Sequence, residues 1–185
     1  MYPIVILDDL SADDAGKALL ANFSCGDAAL DNFLHNEALH LHNAGITRSL
    51  LFLSPNQEEI VAWAALSASE THLSDFEIGE LSINSMLPTR FIPSVRLTKF
   101  SLAAKYQKQG LGSLVLSRVK DYLISNINSL CAYRLLVLDA RNDESVLAFY
   151  RRNGFEECAQ ETRNKKHDRD RSSVEMYFDL LNLSQ

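Results

Sequence analysis

Long hydrophobic runs and a basic leader are both missing from this sequence. No apolar run in its 185 residues approaches the ~20 residues that a membrane-spanning helix needs. Residues 2–9 contain no lysine or arginine, and their short apolar run ends at Asp8 and Asp9, so they predict a first strand rather than a signal peptide. We therefore expect a cytoplasmic protein that does not enter a membrane.

Cysteine is scarce and irregularly placed. The three cysteines, Cys25, Cys131 and Cys158, are odd in number, widely separated and outside any Cys-x-x-Cys pair. This arrangement indicates neither a disulfide framework nor a zinc site. A thiol nucleophile would need an activating histidine, and the sequence places none beside Cys131 or Cys158. We expect reduced thiols, with these two cysteines as packing residues.

Histidines at metal-ligand spacing are also lacking. His35, His40 and His42 crowd one segment, but they are five and two residues apart. Two ligands on one face of a helix are three or four residues apart. We interpret the three side chains as solvated and expect no metal.

An excess of positive charge is absent. The formal net charge of −6 argues weakly against nonspecific binding of nucleic acid over the whole surface and leaves room for local basic patches. Internal repeats, low-complexity tracts and linkers are absent as well. Together with the length, this predicts a single domain over residues 1–185.

The hydrophobic patterns that are present predict strands interleaved with helices, in an α/β or α+β arrangement with a mixed sheet. Residues 47–54 and 59–69 should form a hairpin around a proline-containing turn. We expect a loop over residues 71–93, with one short strand at 80–83, and a solvated polar loop over 161–171. The other predicted strands are 5–7, 95–103, 132–138, 155–158 and 174–180, and the predicted helices are 11–22, 27–43, 111–127 and 144–152.

One turn suits a diphosphate ligand. It reads Gln107-Lys108-Gln109-Gly110-Leu111-Gly112 and lies between a predicted strand and a predicted helix. Two glycines at i and i+2 let the chain turn tightly and let backbone N–H groups approach a ligand with no Cβ in the way. The helix that starts there adds the positive end of its dipole, and Lys108 adds a cation. A plain glycine turn is the alternative.

Neither common nucleotide loop fits this turn. A Walker loop needs Lys and then Ser or Thr after its second glycine, where this sequence has Gly112-Ser113-Leu114. A dinucleotide fingerprint needs a third glycine where Val115 stands. ATP and NAD are therefore disfavoured as ligands.

The turn resembles the Gln/Arg-x-x-Gly-x-Gly/Ala pyrophosphate signature of the Gcn5-related N-acetyltransferase (GNAT) superfamily. A second segment, Phe149-Tyr150-Arg151-Arg152-Asn153-Gly154-Phe155, resembles that family's F-Y-x-x-x-G-F helix-to-strand segment. The resemblance is clearest over residues 95–157. It implies an α/β (α+β) fold in which helices flank a mixed, mostly antiparallel central sheet. It also implies an N-acetyltransferase that moves an acetyl group from acetyl-CoA directly to a primary amine.

The resemblance assigns roles to residues of both segments. The backbone amides from Gln109 to Ser113 would cradle the pyrophosphate, and the backbone of Ser101 and Leu102 would pair with the pantetheine arm. Tyr150 would be the general acid that protonates the departing CoA thiolate, because an unperturbed tyrosine keeps its proton at neutral pH. The expected cofactor contacts are Ser101, Leu102, Gln107, Lys108, Gln109, Gly110, Leu111, Gly112, Ser113, Asn142 and Phe149.

The sequence departs from the family pattern near the tyrosine. Many relatives place an asparagine seven residues before it, where this chain has Asp143 with Asn142 beside it. Asn142 is therefore the expected contact. No general base stands out, since Glu70 and Glu80 are candidates by residue type alone.

The acceptor stays open at this level. The segments Phe23-Ser24-Cys25-Gly26, Leu30-Asp31-Asn32-Phe33-Leu34 and Ile92-Pro93 resemble the GNAT branch of tRNA-acetylating toxins, which implies an aminoacyl-tRNA acceptor. A small-molecule or peptide amine is the alternative that the net acidity favours, and a non-catalytic acyl-CoA-binding module is a further one. Many relatives dimerise, so a homodimer is also considered. Basic residues that could contact tRNA phosphates are Arg90, Arg96, Lys99, Lys105, Lys108, Lys165, Lys166, Arg169 and Arg171.

Overall fold

The computed structural model describes residues 2–83, 90–127, 129, 131–159 and 172–182. Its strands are β1 (Ile4–Ile6), β2 (Arg48–Leu53), β3 (Ile60–His72), β4 (Phe91–Leu102), β5 (Leu135–Arg141), β6 (Glu156–Glu157) and β7 (Ser173–Asp179). Its α-helices are α1 (Leu7–Ser11), α2 (Asp14–Asn22), α3 (Ala28–Asn32), α4 (Ala38–Asn43), α5 (Asp75–Glu80), α6 (Leu111–Asn126) and α7 (Glu144–Arg152). A π-helical turn, Phe33–Glu37, joins α3 to α4, and a 3-10 turn covers Ala104–Tyr106.

Aspartates begin three of these helices. The carboxylate of Asp13 accepts the Gly16 N–H at 2.7 Å, and that of Asp27 accepts the Ala29 N–H at 3.0 Å. Asp143 caps α7 in the same way. Such a cap satisfies an amide that has no partner inside the helix and is worth ~1 kcal/mol. These local signals explain why the predicted starts of α3 and α7 agree with the structure, whereas α2 begins three residues later than predicted because its cap is Asp13.

The strands form one seven-stranded sheet in the order β1-β2-β3-β4-β5-β7-β6. β4 and β5 are parallel, with Ser94 opposite Leu135. The pairs β1 with β2, β5 with β7 and β6 with β7 are antiparallel. β2 and β3 form the predicted hairpin, with Ser49 opposite Ala65. The expectation of a mixed, mostly antiparallel sheet is confirmed.

The chain divides into two compact units. The first comprises Met1–Ala68 and Leu97–Val119, and the second comprises Ser69–Arg96 and Lys120–Gln185. In the first unit the N-terminal helices share a core with β2 and β3, where the Phe33 ring stacks on Trp63 at 5.6 Å. The core of the second unit contains Leu73, Ile78, Leu81, Ile92, Leu135, Val137, Cys158 and Tyr177. The expectation of a single domain stays a prediction.

The predicted loop over residues 71–93 is wrong. β3 continues to His72, and the short strand expected at 80–83 is replaced by the end of α5. The Ser74 hydroxyl accepts the Glu77 N–H at 3.4 Å, and the Glu77 carboxylate accepts the Ser74 N–H at 2.7 Å. This capping box starts the helix. Residues 84–89 lie outside the described part of the chain.

Smaller differences concern the ends of elements. α1 was not predicted. Its N-cap residue is Ile6, whose side chain caps none of the first amides of the helix. β5 begins and ends three residues later than the predicted strand 132–138. The polar segment 161–171 lies outside the described residues. Among the helices that are described, none is long and apolar enough to cross a bilayer.

Candidate functional site

The glycine turn belongs to the first unit and contains two residues with left-handed backbone. Between the end of β4 and the start of α6, Lys108 has a φ of 58° and Gly110 has a φ of 78°. Glycine adopts such angles freely, whereas a side chain there costs ~1–2 kcal/mol. The first amides of a helix lack partners within it, so this 16-residue helix presents donors and positive potential at the turn.

The turn is open on the side of Gly110. A Cβ placed on Gly110 would meet no atom within 4 Å. The position therefore needs glycine for its backbone angle rather than for space inside the protein. A ligand can approach the backbone there, which suits the diphosphate that the sequence predicted.

The glutamine side chains of the turn are bonded to the backbone. Gln107 Nε2 donates to the carbonyl oxygens of Cys25 at 2.7 Å and Leu102 at 3.0 Å. Gln109 Nε2 donates to the Lys105 carbonyl at 2.6 Å. Within the described residues, the donors that this turn presents to an anion are therefore its backbone amides and the exposed ammonium group of Lys108.

A second turn, Ser24 to Gly26, packs beside the glycine turn. The Asp31 carboxylate accepts the Ser24 hydroxyl at 2.7 Å and the Cys25 N–H at 2.8 Å. The Ala104 N–H donates to the Ser24 carbonyl at 2.9 Å. The Asp31 carboxylate thus bonds the segment Phe23–Gly26 to the segment Leu30–Leu34, which is a physical reason for the two motifs to occur together. Sequence reasoning missed the contact of this turn with Gln107, because nothing local signals a bond between such distant residues.

A cavity of about 360 Å³ opens beside both turns. The predicted contacts Ser101, Leu102 and Gln107 lie together in its wall. The Ser101 hydroxyl is buried beside the Cys25 thiol, and a ligand amide could bond it. Burial raises the pKa of the Cys25 thiol, which keeps it protonated. The full lining is Cys25, Gly26, Asp27, Leu30, Phe100, Ser101, Leu102 and Gln107.

Tyr150 lies in the second unit, on α7. Its ring meets the rings of Phe149 and Phe155 edge-on, at centroid distances of 5.1 Å and 5.5 Å. Burial raises the pKa of Tyr150 to about 12. Its hydroxyl donates no hydrogen bond to any residue that the structure describes. The group therefore stays protonated at neutral pH, and its proton is available to a ligand.

The residues around Tyr150 have structural partners of their own. Asp143, at the place of the family's asparagine, accepts the N–H groups of Ser145 and Val146 and is therefore a helix cap. The Asn142 N–H donates to the Ser172 carbonyl at 2.9 Å. The roles of Asn142 and Phe149 as cofactor contacts stay predictions.

Carboxylates already neutralise several of the basic residues predicted to contact phosphate. Arg90 pairs with Asp75 at 2.9 Å, and Lys105 pairs with Glu59 at 2.5 Å. Lys99 lies over the Phe33 ring at 5.2 Å from its centroid. Arg96 is bonded to Asp139 and Glu175, both at 2.5 Å. Of the remaining candidates, Lys108 is the exposed lysine of the glycine turn, and Lys165, Lys166, Arg169 and Arg171 lie outside the described residues.

The cysteines, the histidines and the two candidate bases are placed as follows in the described part of the chain. Cys131 is exposed, so its predicted packing role is wrong, whereas Cys158 is buried as expected. His35 Nε2 contacts the Phe23 carbonyl at 3.0 Å. Glu70 and Glu80 are both exposed. Within the described ranges no three His, Cys, Asp or Glu side chains come together as metal ligands would.

Comparisons with known proteins gave different results for the sequence and for the structure. No protein-family profile matches the sequence, and no curated protein matches it. Solved structures match over nearly the whole chain. A tyrosine-to-phenylalanine mutant of KacT is 20% identical with a TM-score of 0.71, over 97% of this chain and 95% of that one. AtaT complexed with acetyl-methionyl-tRNAfMet is 20% identical with a TM-score of 0.70, over 97% and 95%. AtaTR bound with AcCoA is 22% identical with a TM-score of 0.68, over 97% and 94%.

This chain has a GNAT-like fold. The GNAT-like fold confirms the architecture that the resemblance implied, including the mixed sheet and its flanking helices. It also accounts for the order in which the chain presents its strand, glycine turn and long helix.

Proposed function

We propose that this protein is an acetyl-CoA-dependent N-acetyltransferase that acts on a primary amine. The turn between β4 and α6 carries the proposal, because Lys108, Gly110 and the start of a long helix together present donors to a diphosphate. The turn lacks the sequence patterns of the loops that bind ATP and NAD. CoA is therefore the diphosphate ligand that we assign to it. AtaTR, which shares the fold, was crystallised with AcCoA, and this supports the choice.

The first unit supplies the donor contacts in this proposal. The amides from Gln109 to Ser113 hold the pyrophosphate, and Lys108 adds a positive charge. The cavity beside Ser101 and Leu102 receives the pantetheine arm, whose amides can bond the buried Ser101 hydroxyl and the nearby backbone. Bound acetyl-CoA supplies an activated thioester.

Tyr150 supplies the proton in this proposal. The neutral amine attacks the thioester carbonyl, the C–S bond breaks with its electron pair on sulfur, and Tyr150 protonates that sulfur. The amine gives its surplus proton to solvent, and Tyr150 regains a proton from solvent. The products are an acetylated amine and free CoA. The unbonded hydroxyl and its raised pKa support this role. KacT and AtaT were both crystallised as tyrosine-to-phenylalanine mutants, which is consistent with it.

Thermal unfolding of the purified protein with acetyl-CoA tests donor binding. Ligand at a hundred times its dissociation constant should stabilise the fold by ~2.7 kcal/mol, whereas ATP and NAD should not. Lys108→Glu should reduce the shift because it places a carboxylate beside the phosphates. Lack of any shift with acetyl-CoA would contradict the proposal at its first step.

Release of CoA from acetyl-CoA, measured over a panel of amines, separates an enzyme from a binding module. Tyr150→Phe should bind acetyl-CoA normally but lose ~100-fold in turnover, because the general acid is removed. Tyr133→Phe is the matched control, since the Tyr133 hydroxyl donates only to the Leu123 carbonyl in the described structure, at 2.8 Å. Binding without turnover on every amine would leave the non-catalytic module.

Aminoacyl-tRNA is a second, more specific acceptor that one observation favours. AtaT, which matches 97% of this chain, was crystallised with acetyl-methionyl-tRNAfMet. The pairing of Arg90, Arg96 and Lys105 with carboxylates speaks for a small-molecule or peptide amine instead. A homodimer stays a prediction.

Labelled acetyl-CoA can decide between these acceptors. A tRNA substrate predicts label on charged tRNA, none on deacylated tRNA, and slowed growth when the protein is induced. The label should also fall steeply with added salt, because phosphate contacts release counterions. Unlabelled charged tRNA and normal growth would leave the small amine or peptide.

A further inference from the structure

Lys120 of α6 occupies an unusual place for a lysine. Its ammonium nitrogen lies 3.6 Å from the centroid of the Phe178 ring and 5.1 Å from that of Phe155. It also donates a hydrogen bond to the carbonyl oxygen of Asn153. An ammonium group over aromatic faces and against a carbonyl is attracted by both.

Two of the residues that Lys120 contacts, Asn153 and Phe155, fix the end of α7. The N–H groups of Asn153 and Phe155 both donate to the Tyr150 carbonyl, at 3.0 Å and 3.1 Å. The Phe155 ring meets the Tyr150 ring at 5.5 Å, and the Asn153 side chain donates to the Phe149 carbonyl at 2.8 Å. The contacts of Lys120 with Asn153 and Phe155 are therefore one residue removed from Tyr150, and Phe178 is linked to Tyr150 through the Phe155 ring, at 5.6 Å.

A purely stabilising role explains this lysine poorly. Burial lowers the pKa of Lys120 to about 8, although the neighbouring carboxylate of Asp121 acts in the opposite direction. The folded protein thus holds this charge less readily than the unfolded chain does. An apolar side chain of similar length would fill the same space between the rings without that cost.

We propose that Lys120 is a positioning residue for Tyr150, which holds the Asn153 carbonyl and the Phe155 ring and thereby fixes the place of the Tyr150 hydroxyl. The inference rests on the proposed function, in which that hydroxyl must meet the departing sulfur. Misplacement of a reacting group by ~1 Å can cost ~100-fold in rate. Lys120 touches neither donor nor acceptor in this account, so its effect belongs to turnover and not to binding.

The test compares Lys120→Met and Lys120→Arg, with exposed Lys17→Met as the matched control. CoA release is followed with acetyl-CoA and hydroxylamine, a small neutral nucleophile that needs no specific acceptor site. Lys120→Met should keep its melting temperature and its KM for acetyl-CoA within about twofold, and lose between about tenfold and 100-fold in kcat. Lys120→Arg should recover most of kcat because it retains the cation. Unchanged kcat in a folded Lys120→Met protein would overturn the inference.

A double-mutant cycle with Tyr150→Phe gives the second measurement. If Lys120 acts through the tyrosine, Lys120→Met should lower kcat no further once the hydroxyl is gone. An equal loss in both backgrounds, or a loss matched by unfolding, would overturn the positioning role. Equal turnover of wild type and Tyr150→Phe would instead contradict the proposed function itself.

Discussion

Tyr150 combines a buried ring with a hydroxyl that the described structure leaves unbonded. Burial holds the pKa of this group at about 12, above the ordinary value near 10. A raised pKa keeps the proton on the acid over the range in which amines lose theirs. The two demands of the proposed reaction, a neutral amine and a protonated tyrosine, can therefore be met at the same pH.

The pH dependence of turnover should reflect this separation. We expect kcat on a primary amine to rise as the amine deprotonates, with no falling limb below about pH 10. The same shift favours folding below about pH 10 and is lost as the pH rises toward 12, a loss that Tyr150→Phe should reduce. Turnover and urea unfolding measured across this range check both parts. A falling limb of kcat below about pH 10 would contradict the role of Tyr150.

Arg96 holds together two carboxylates that face each other across neighbouring strands. Asp139 and Glu175 are opposite each other in the β5–β7 pairing, and Glu175 is buried. Burial lowers the pKa of Arg96, but the Glu175 hydrogen bond and both negative charges outweigh it and raise the pKa. The guanidinium therefore offsets a repulsion that would otherwise disfavour this register.

Replacing Arg96 should be costly for this reason. Arg96→Met should lower the free energy of unfolding by ~3–5 kcal/mol, because it leaves a buried carboxylate unpaired. Arg151→Met removes a guanidinium that also bonds two carboxylates, Glu144 and Glu157, but in solvent, and should cost far less. Urea unfolding of both variants gives the comparison. Equal losses would show that burial of Glu175 does not decide the cost.

Among the elements, the glycine turn is one of those that hold backbone strain. Lys108 and Gln57 are both non-glycine residues with positive φ, at 58° and 59°. Gln57 lies in the exposed turn between β2 and β3, where no ligand is expected. Strain at Lys108 has a use if its ammonium group faces a bound phosphate.

Glycine at each position separates stability from binding. Lys108→Gly and Gln57→Gly should each raise the free energy of unfolding by up to ~1 kcal/mol, since glycine has no Cβ to strain. Only Lys108→Gly should weaken acetyl-CoA binding. Denaturant unfolding and calorimetric titration measure the two effects. Equal acetyl-CoA affinity in both variants would remove Lys108 from the donor site.

Elements with strong local signals were predictable from sequence. α7 has its predicted bounds because Asp143 caps it and Gly154, with a φ of 79°, ends it. α5 has an equally clear local signal in Ser74 and Glu77, which form a capping box, although the sequence predicted a loop there. The shifted start of β5 reflects an apolar run that continues beyond the strand at one end.

At the scale of the whole molecule, the contacts that position side chains are not local. Gln107 bonds Cys25, and Lys120 approaches Phe178, across long stretches of sequence. Periodicity and caps predict elements, but they contain no information on such pairs. The sequence therefore sufficed for the fold class and for the place of the glycine turn between a strand and a helix. It could not show that the side chains of Gln107 and Gln109 bond the backbone, or that Lys120 contacts residues that adjoin Tyr150.

The π-helical turn Phe33–Glu37 has a consequence for how this chain can change in length. A π turn holds one residue more than an α turn, so the helical stretch from Ala28 to Asn43 contains a built-in insertion. Losing one residue there would leave an unbroken α-helix, locally more regular than the native one. It would also rotate Phe33 away from Trp63 or His42 away from Ser49, whose N–H it accepts at 3.2 Å. In this stretch the number of residues, and not only their identity, therefore determines which side chains reach their partners.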